Sequence, residues 1–185
     1  MNEWWLSLPT LLDQVWLRLG RGVVDRKADA RHPAFATTGL SGAEARVVVL
    51  RQADRAQSTV SVYSDLRAGK IHDLRHDPRA SILVWEQNAK LQIRLRVQVE
   101  IKSGNAAADH WQRVPERARA VYGSEPAPGS PIDQPDELVA RGKPEAFAVL
   151  VCTINEIETL YLGSDLHRRA KFSPDTAWAG LWIGP

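Results

Sequence analysis

The sequence predicts a mostly β, antiparallel fold with peripheral helices, and three observations carry that prediction. The first is residues 91–102. There Leu91, Ile93, Leu95, Val97, Val99 and Ile101 alternate without exception with Gln92, Arg94, Arg96, Gln98, Glu100 and Lys102. Strict period-two alternation defines a long strand with one face in a core. The second is that strand-like runs follow one another through turns, which pairs them locally and departs from the βαβ rhythm of a doubly wound fold. The third is size: 185 residues, 44% hydrophobic and 25% charged, suffice for a single domain spanning 1–185 with a proper core.

The elements are expected in the following order. Leu8, Leu11, Leu12, Val15, Trp16 and Leu19 make one apolar face of an amphipathic helix. Glu3, Asp13 and Arg18 interrupt that stretch, so it reads neither as a signal segment nor as a membrane span. A polar connection over 25–33 leads to strands at 34–38 and 45–51 around a turn at 39–42. A strand at 58–64 follows, then a short helix over 66–75 that Asp77–Pro78 stops. After a strand at 81–85 and a turn at 86–90 comes the long strand. Residues 105–122 read as helical, split or restarted at Pro115. Four prolines and two glycines make 123–135 a loop. Asp136 is expected to cap a helix through Arg141 that Gly142 closes. Strands at 147–154, 157–162 and 178–183 complete the chain.

Composition excludes several functions. A net charge of +2 is too small for a nucleic-acid coat or a membrane-surface binder. The lone Cys152 excludes an internal disulfide and a multi-cysteine zinc site, and a cytoplasmic protein is expected. Neither G-x-G-x-x-G, nor a P-loop, nor G-x-S-x-G occurs. His72 and His76 lack a third metal ligand nearby, and Asp65, Glu100 and Glu158 form no recognisable catalytic pair.

Three segments carry candidate chemistry. In Arg46-Val-Val-Val-Leu-Arg51, Arg46 shares a face with Val48 and Leu50. A cation on an apolar side needs an anion or acceptors, although a core strand flanked by exposed arginines has the same pattern. In Tyr63-Ser-Asp-Leu-Arg-Ala-Gly-Lys70, Arg67 and Lys70 stand near a helix start, against the helix dipole. A bound phosphate reverses that balance, using free N–H groups, the Ser64 hydroxyl and both cations; the bland reading is a solvated basic patch. Gln92 and Arg94 lie together on the polar face of the long strand, where solvent alone would also explain them.

Taken in order, R-V-V-V-L-R, Y-S-D-L-R-A-G-K, D-P-R-A-S-I-L-V-W, L-Q-I-R-L-R-V and the C-terminal H-R-R-A-K-F resemble the pyridoxamine 5′-phosphate oxidase-like FMN-binding proteins. The resemblance runs from about Leu11 to Pro185 and is nearest to the oxidase-related bacterial subgroup. It implies a six-stranded antiparallel split β-barrel of Greek-key type, paired as a homodimer with FMN at the subunit interface. It places Arg46 and Lys70 at the cofactor phosphate, with Arg67 nearby, and Val47, Val48, Val49 and Leu50 along the flavin. It places Arg51 near flavin and substrate, Tyr63 and Ser64 at the cofactor, Gln92 close to the flavin with Arg94 beside it, and Arg169 or Lys171 at the ring. Gly69 stands where an arginine is often found. His167-Arg168-Arg169 replaces an arginine–leucine–histidine substrate motif, Leu160 or Tyr161 replaces a tryptophan, and Trp111 and Arg113 are loose counterparts of substrate residues. The expected function is an FMN-dependent oxidoreductase acting on a small molecule, with no nucleic-acid or membrane partner and no metal. The alternative is a non-catalytic protein that holds FMN or a phosphorylated ligand as a sensor or store.

Overall fold

The computed structural model describes residues 3–40 and 42–185. Helix α1 (Leu8–Val24) buries Leu11, Leu12, Val15, Trp16 and Leu19, as its 3.6-residue spacing dictates. Pro9 sits in its first turn, where the missing N–H has no helical partner to lose. Gly22, near the other end, is pressed against Ala30, whose carbonyl carbon and oxygen lie 2.7 Å from where a Cβ would stand.

Nine strands make up the sheet among the described residues: β1 (Ala34–Gly39), β2 (Gly42–Val47), β3 (Leu50–Asp54), β4 (Thr59–Asp65), β5 (Arg79–Glu86), β6 (Leu91–Ser103), β7 (Phe147–Leu162), β8 (His167–Phe172) and β9 (Leu181–Ile183). All neighbours pair antiparallel, in the order β2-β1-β5-β6-β7-β4-β3, with β8 and β9 added beyond the far half of β7. Short helices α2 (Gly69–His76), α3 (Ala108–Arg113) and α4 (Glu116–Arg119) lie between strands.

In place of the expected six-stranded split barrel, the described residues form a nine-stranded antiparallel sheet whose ladder does not close. The two ends of its main path, β2 and β3, are nevertheless consecutive in the chain, joined only by Val48 and Val49. Six inter-strand spacings would separate them by about 28 Å in a flat sheet, whereas three peptide steps reach at most about 11 Å. The sheet must curl until those two ends meet. No β2–β3 ladder appears because Val48 donates its N–H to the Pro33 carbonyl and Arg31 reaches the Leu50 carbonyl.

Several other boundaries moved for local reasons. The strand expected at 45–51 breaks at Val48–Val49, and the helix expected at 66–75 starts only at Gly69. The strands expected at 147–154 and 157–162 are one strand, β7. Asn155 is accommodated as a bulge, since Arg96 faces Glu156 while Val97 faces Ile154. The helix expected from Asp136 is a single turn, Pro135–Glu137, that Gln134 rather than Asp136 caps. The final strand begins at Leu181 instead of 178, because Ala177 and Trp178 adopt left-handed backbone conformations.

The main core lies between α1 and the concave face of the sheet. Phe35, Leu50, Ile82, Leu91, Ile93, Leu95, Leu150 and Phe172 are sealed in it. A smaller cluster of Val114, Tyr122, Phe147 and Val149 packs under the α3–α4 segment, with Tyr63 and Trp111 at its border.

Candidate cofactor and ligand site

The residues singled out from sequence fall into three groups. The first surrounds the start of α2. Lys70 points its ammonium at the Ser64 hydroxyl, 3.3 Å away. Burial, and then the nearby Arg46 guanidinium, push the Lys70 pKa below its ordinary value, while Asp65 and Asp73 oppose them. Arg46 donates to Thr37 Oγ1 at 2.6 Å and lies 3.5 Å from Asp73, which itself accepts from Thr37 at 2.7 Å. No side chain caps α2; the Ile71 N–H is taken by the Ala68 carbonyl, which leaves the N–H groups of Gly69 and Lys70 at the helix start. Arg67 is turned away: it clamps Asp65 through two bonds of 2.9 and 2.8 Å and reaches the Ser124 carbonyl. Burial alone would raise the Asp65 carboxyl, but Arg67 and the Gly123 N–H together hold it below its ordinary range.

The second group lies at the far end of β7. Glu158, 3% exposed, accepts from Arg94 at 2.6 Å and from Arg169 at 2.7 and 3.0 Å, with Lys171 at 4.0 Å. Burial pushes this carboxyl up, yet the hydrogen bonds from Arg169 and Arg94 leave it below the usual carboxylate range. Lys171 also meets Glu156 at 3.4 Å, and Gln92 sits on the same strand face as Arg94, opposite Leu160. In sequence Glu158 is set aside because it forms no recognisable pair with another carboxylate; its role here is as the shared partner of three cations. Of its three partners, Arg94 comes from β6, far away in the chain, and Arg169 and Lys171 from β8, the next strand.

The third group is a pocket of about 250 Å³ lined by Arg31, Arg51, Tyr63, His110 and Arg113 among others. The Arg51 guanidinium stands 5.3 Å from the centre of the Tyr63 ring, and its Nε is buried without a partner. The Tyr63 hydroxyl lies 3.3 Å from His110 Nδ1. Burial, aided by Arg113, lowers the His110 pKa, and burial raises that of Tyr63. His110 and Arg31 carried no sequence signal of their own. Among the four residues linking the Arg46 and Arg51 ends, Val48 and Leu50 are buried in the core, Val47 is exposed on the edge strand, and Val49 is half-buried.

The first two groups do not meet within one chain. Ser64 faces Ala148 across the β4–β7 ladder, and Arg94 faces Glu158, ten residues further along β7. Ten extended residues correspond to about 33 Å of strand contour.

Comparison with solved structures identifies this arrangement of strands. A pyridoxamine 5′-phosphate oxidase-related, FMN-binding protein from Nostoc punctiforme superposes with a TM-score of 0.74, covering 94% of this chain and 96% of that one at 22% identity. The fold is that of the pyridoxamine 5′-phosphate oxidase-related proteins. PhzG from Burkholderia lata, solved with tetrahydrophenazine-1-carboxylic acid, matches with a TM-score of 0.76, 21% identity and coverage of 96% and 92%. Among curated proteins, pyridoxine/pyridoxamine 5′-phosphate oxidase 2 of Arabidopsis thaliana is 25% identical over 130 residues, 64% of this chain. That match spans 65% of the relative's length. No family model matches. The curated and structural neighbours thus fall in the pyridoxamine 5′-phosphate oxidase-related group that the motifs resemble. No helix among the described residues is long and apolar enough to cross a membrane.

Proposed function

We propose that the chain is an FMN-dependent oxidoreductase of the pyridoxamine 5′-phosphate oxidase-related family, working as a homodimer with two FMN sites at the interface. One observation carries the reading: a half-buried ammonium, Lys70, has a lone hydroxyl as its hydrogen-bond partner, beside Arg46 and an uncapped helix start. That donor set fits a phosphate dianion, which would supply the missing charge and occupy the free N–H groups. Arg46, Ser64 and Lys70 would hold the phosphate, and Val47, Val49 and Tyr63 would lie along the cofactor.

The β7 end supplies the second wall. Gln92 offers both a donor and an acceptor for the edge of a flavin ring, and Arg94 and Arg169, held still by Glu158, offer cations. The contour of about 33 Å along β7 between the two ends favours a second copy as the source of one of them. Bound FMN supplies the redox chemistry; the chain supplies placement and electrostatics.

The pocket around Arg51 is the substrate side. Its arginines suit a small molecule with an anionic group, and the Tyr63–His110 pair keeps a proton donor and acceptor at its wall. Retention of oxidised-flavin absorbance after FMN is added and the protein desalted is the expected result. A colourless protein would overturn the reading. Bleaching of that absorbance by a substrate, with recovery in oxygen, separates turnover from mere storage.

A further inference from the structure

A second pocket, of about 340 Å³, opens beside the substrate pocket and shares Arg31, Arg51 and Pro115 with it. Its other walls are Arg26, His32, Val49, Arg117 and Ala118. Together the two pockets gather Arg26, Arg31, Arg51, Arg113 and Arg117, and no carboxylate lines either. Among the described residues no ion pair engages these five. Asp25, next to Arg26 in the chain, is taken by Arg21 and by the Lys27 N–H. Glu116, next to Arg117, is exposed on α4.

Arginines crowd together in this way only at a cost. Burial lowers the Arg31 pKa, and the Arg51 and Arg26 charges lower it further. Arg31 is nonetheless fixed in place, donating to the Val23 carbonyl at 2.7 Å and the Leu50 carbonyl at 3.2 Å. The protein therefore pins a guanidinium against its like-charged neighbours and leaves Arg51 Nε unpartnered. The two adjoining cavities share Arg31 and Arg51, and each adds arginines of its own, so together they offer room and charge for two anionic groups.

We propose that the ligand of this site carries two anionic groups, one in the inner pocket with Arg51 and Arg113, the other in the outer pocket with Arg26, Arg31 and Arg117. It is a small polyanion, and Arg26 and Arg117 select it over a singly anionic analogue. The inference rests on the reading of the inner pocket as the substrate side, and not on the cofactor.

Calorimetry on the full chain, with and without FMN and at constant ionic strength, tests it with four probes: phosphate, pyrophosphate, acetate and citrate. Pyrophosphate or citrate should bind at least tenfold more tightly than phosphate or acetate. The double variant Arg26→Ser with Arg117→Ser, both exposed and outside the cofactor set, should erase that preference. It should leave phosphate binding within about twofold and FMN uptake unchanged. Preference for pyrophosphate alone identifies a phosphoanhydride or bisphosphate ligand, and preference for citrate alone identifies a polycarboxylate; either supports the proposal. Equal binding of all four probes, or a preference that survives in the double variant, overturns it. A protein that stays colourless yet prefers pyrophosphate would sink the flavin reading and leave this one standing.

Discussion

At the scale of single residues, the cations divide by what already holds them. Arg67, Arg94 and Arg169 are committed to Asp65 and Glu158, whereas Lys70 has a lone hydroxyl. Lys70→Ala and Arg46→Ala should each weaken FMN binding by about 1.5–3 kcal/mol, the scale of a hydrogen bond to a charged group. Fluorescence titration reads this directly, and unchanged affinity in both would refute the phosphate assignment. Glu158→Gln should instead cost stability, by about 2 kcal/mol in chemical denaturation, because Arg94 and Arg169 are only one-third exposed and lose their shared counter-charge. Its pH dependence follows from the sign of the shift. Glu158 and Asp65 are both held below their ordinary pKa, so their contribution is complete above the carboxylate range and fades as pH falls through it. Denaturation midpoints measured from neutral to acid pH should fall, and the fall should be shallower in Glu158→Gln. Cys152, its thiol pushed up to about 12 by burial, should resist thiol reagents until the chain unfolds.

At the scale of elements, Gly22 shows how packing overrides propensity. Glycine-to-alanine inside a helix normally stabilises by up to about 1 kcal/mol. Here the new methyl would press on the Ala30 carbonyl, so Gly22→Ala should lower the melting temperature and shift α1 off the connection before β1. Strand β6 was fully legible, because its core face (Leu91 to Val99) alternates over more than four residue pairs and nothing competes with that pattern. Strand β7 was read as two because Asn155 breaks the alternation, and a bulge cannot be told from a turn without its partner strand. The α2 boundary slipped because Arg67 bonds to Asp65, its neighbour by two, instead of entering the helix. Of the candidate site, the local part around Ser64 and Lys70 could be read from chain order. The Glu158 cluster and the arginine pockets could not: β6 has to meet the β7–β8 pair to assemble the first, and α3–α4 has to meet the segment from α1 to β3 to assemble the second.

At the scale of the whole molecule, the separation along β7 gives the proposed homodimer a structural motive. Exposed Leu83 and Trp85 stand on β5, next to the strand that carries Gln92 and Arg94. Sedimentation at micromolar concentration should show a dimer, and Trp85→Lys should dissociate it and reduce FMN retention together. A monomer that retains FMN in full would refute the shared site. The tether between β2 and β3 has its own consequence. An ordinary sheet frays inward from either free edge, one strand at a time, but here the two strands that end the main path are tied by Val48 and Val49. Opening one margin tugs on the other, and Arg51, a step past that tether, is drawn with it. A ligand gripping Arg51 should therefore slow amide exchange in β2, on the opposite margin of the sheet, without touching a residue there.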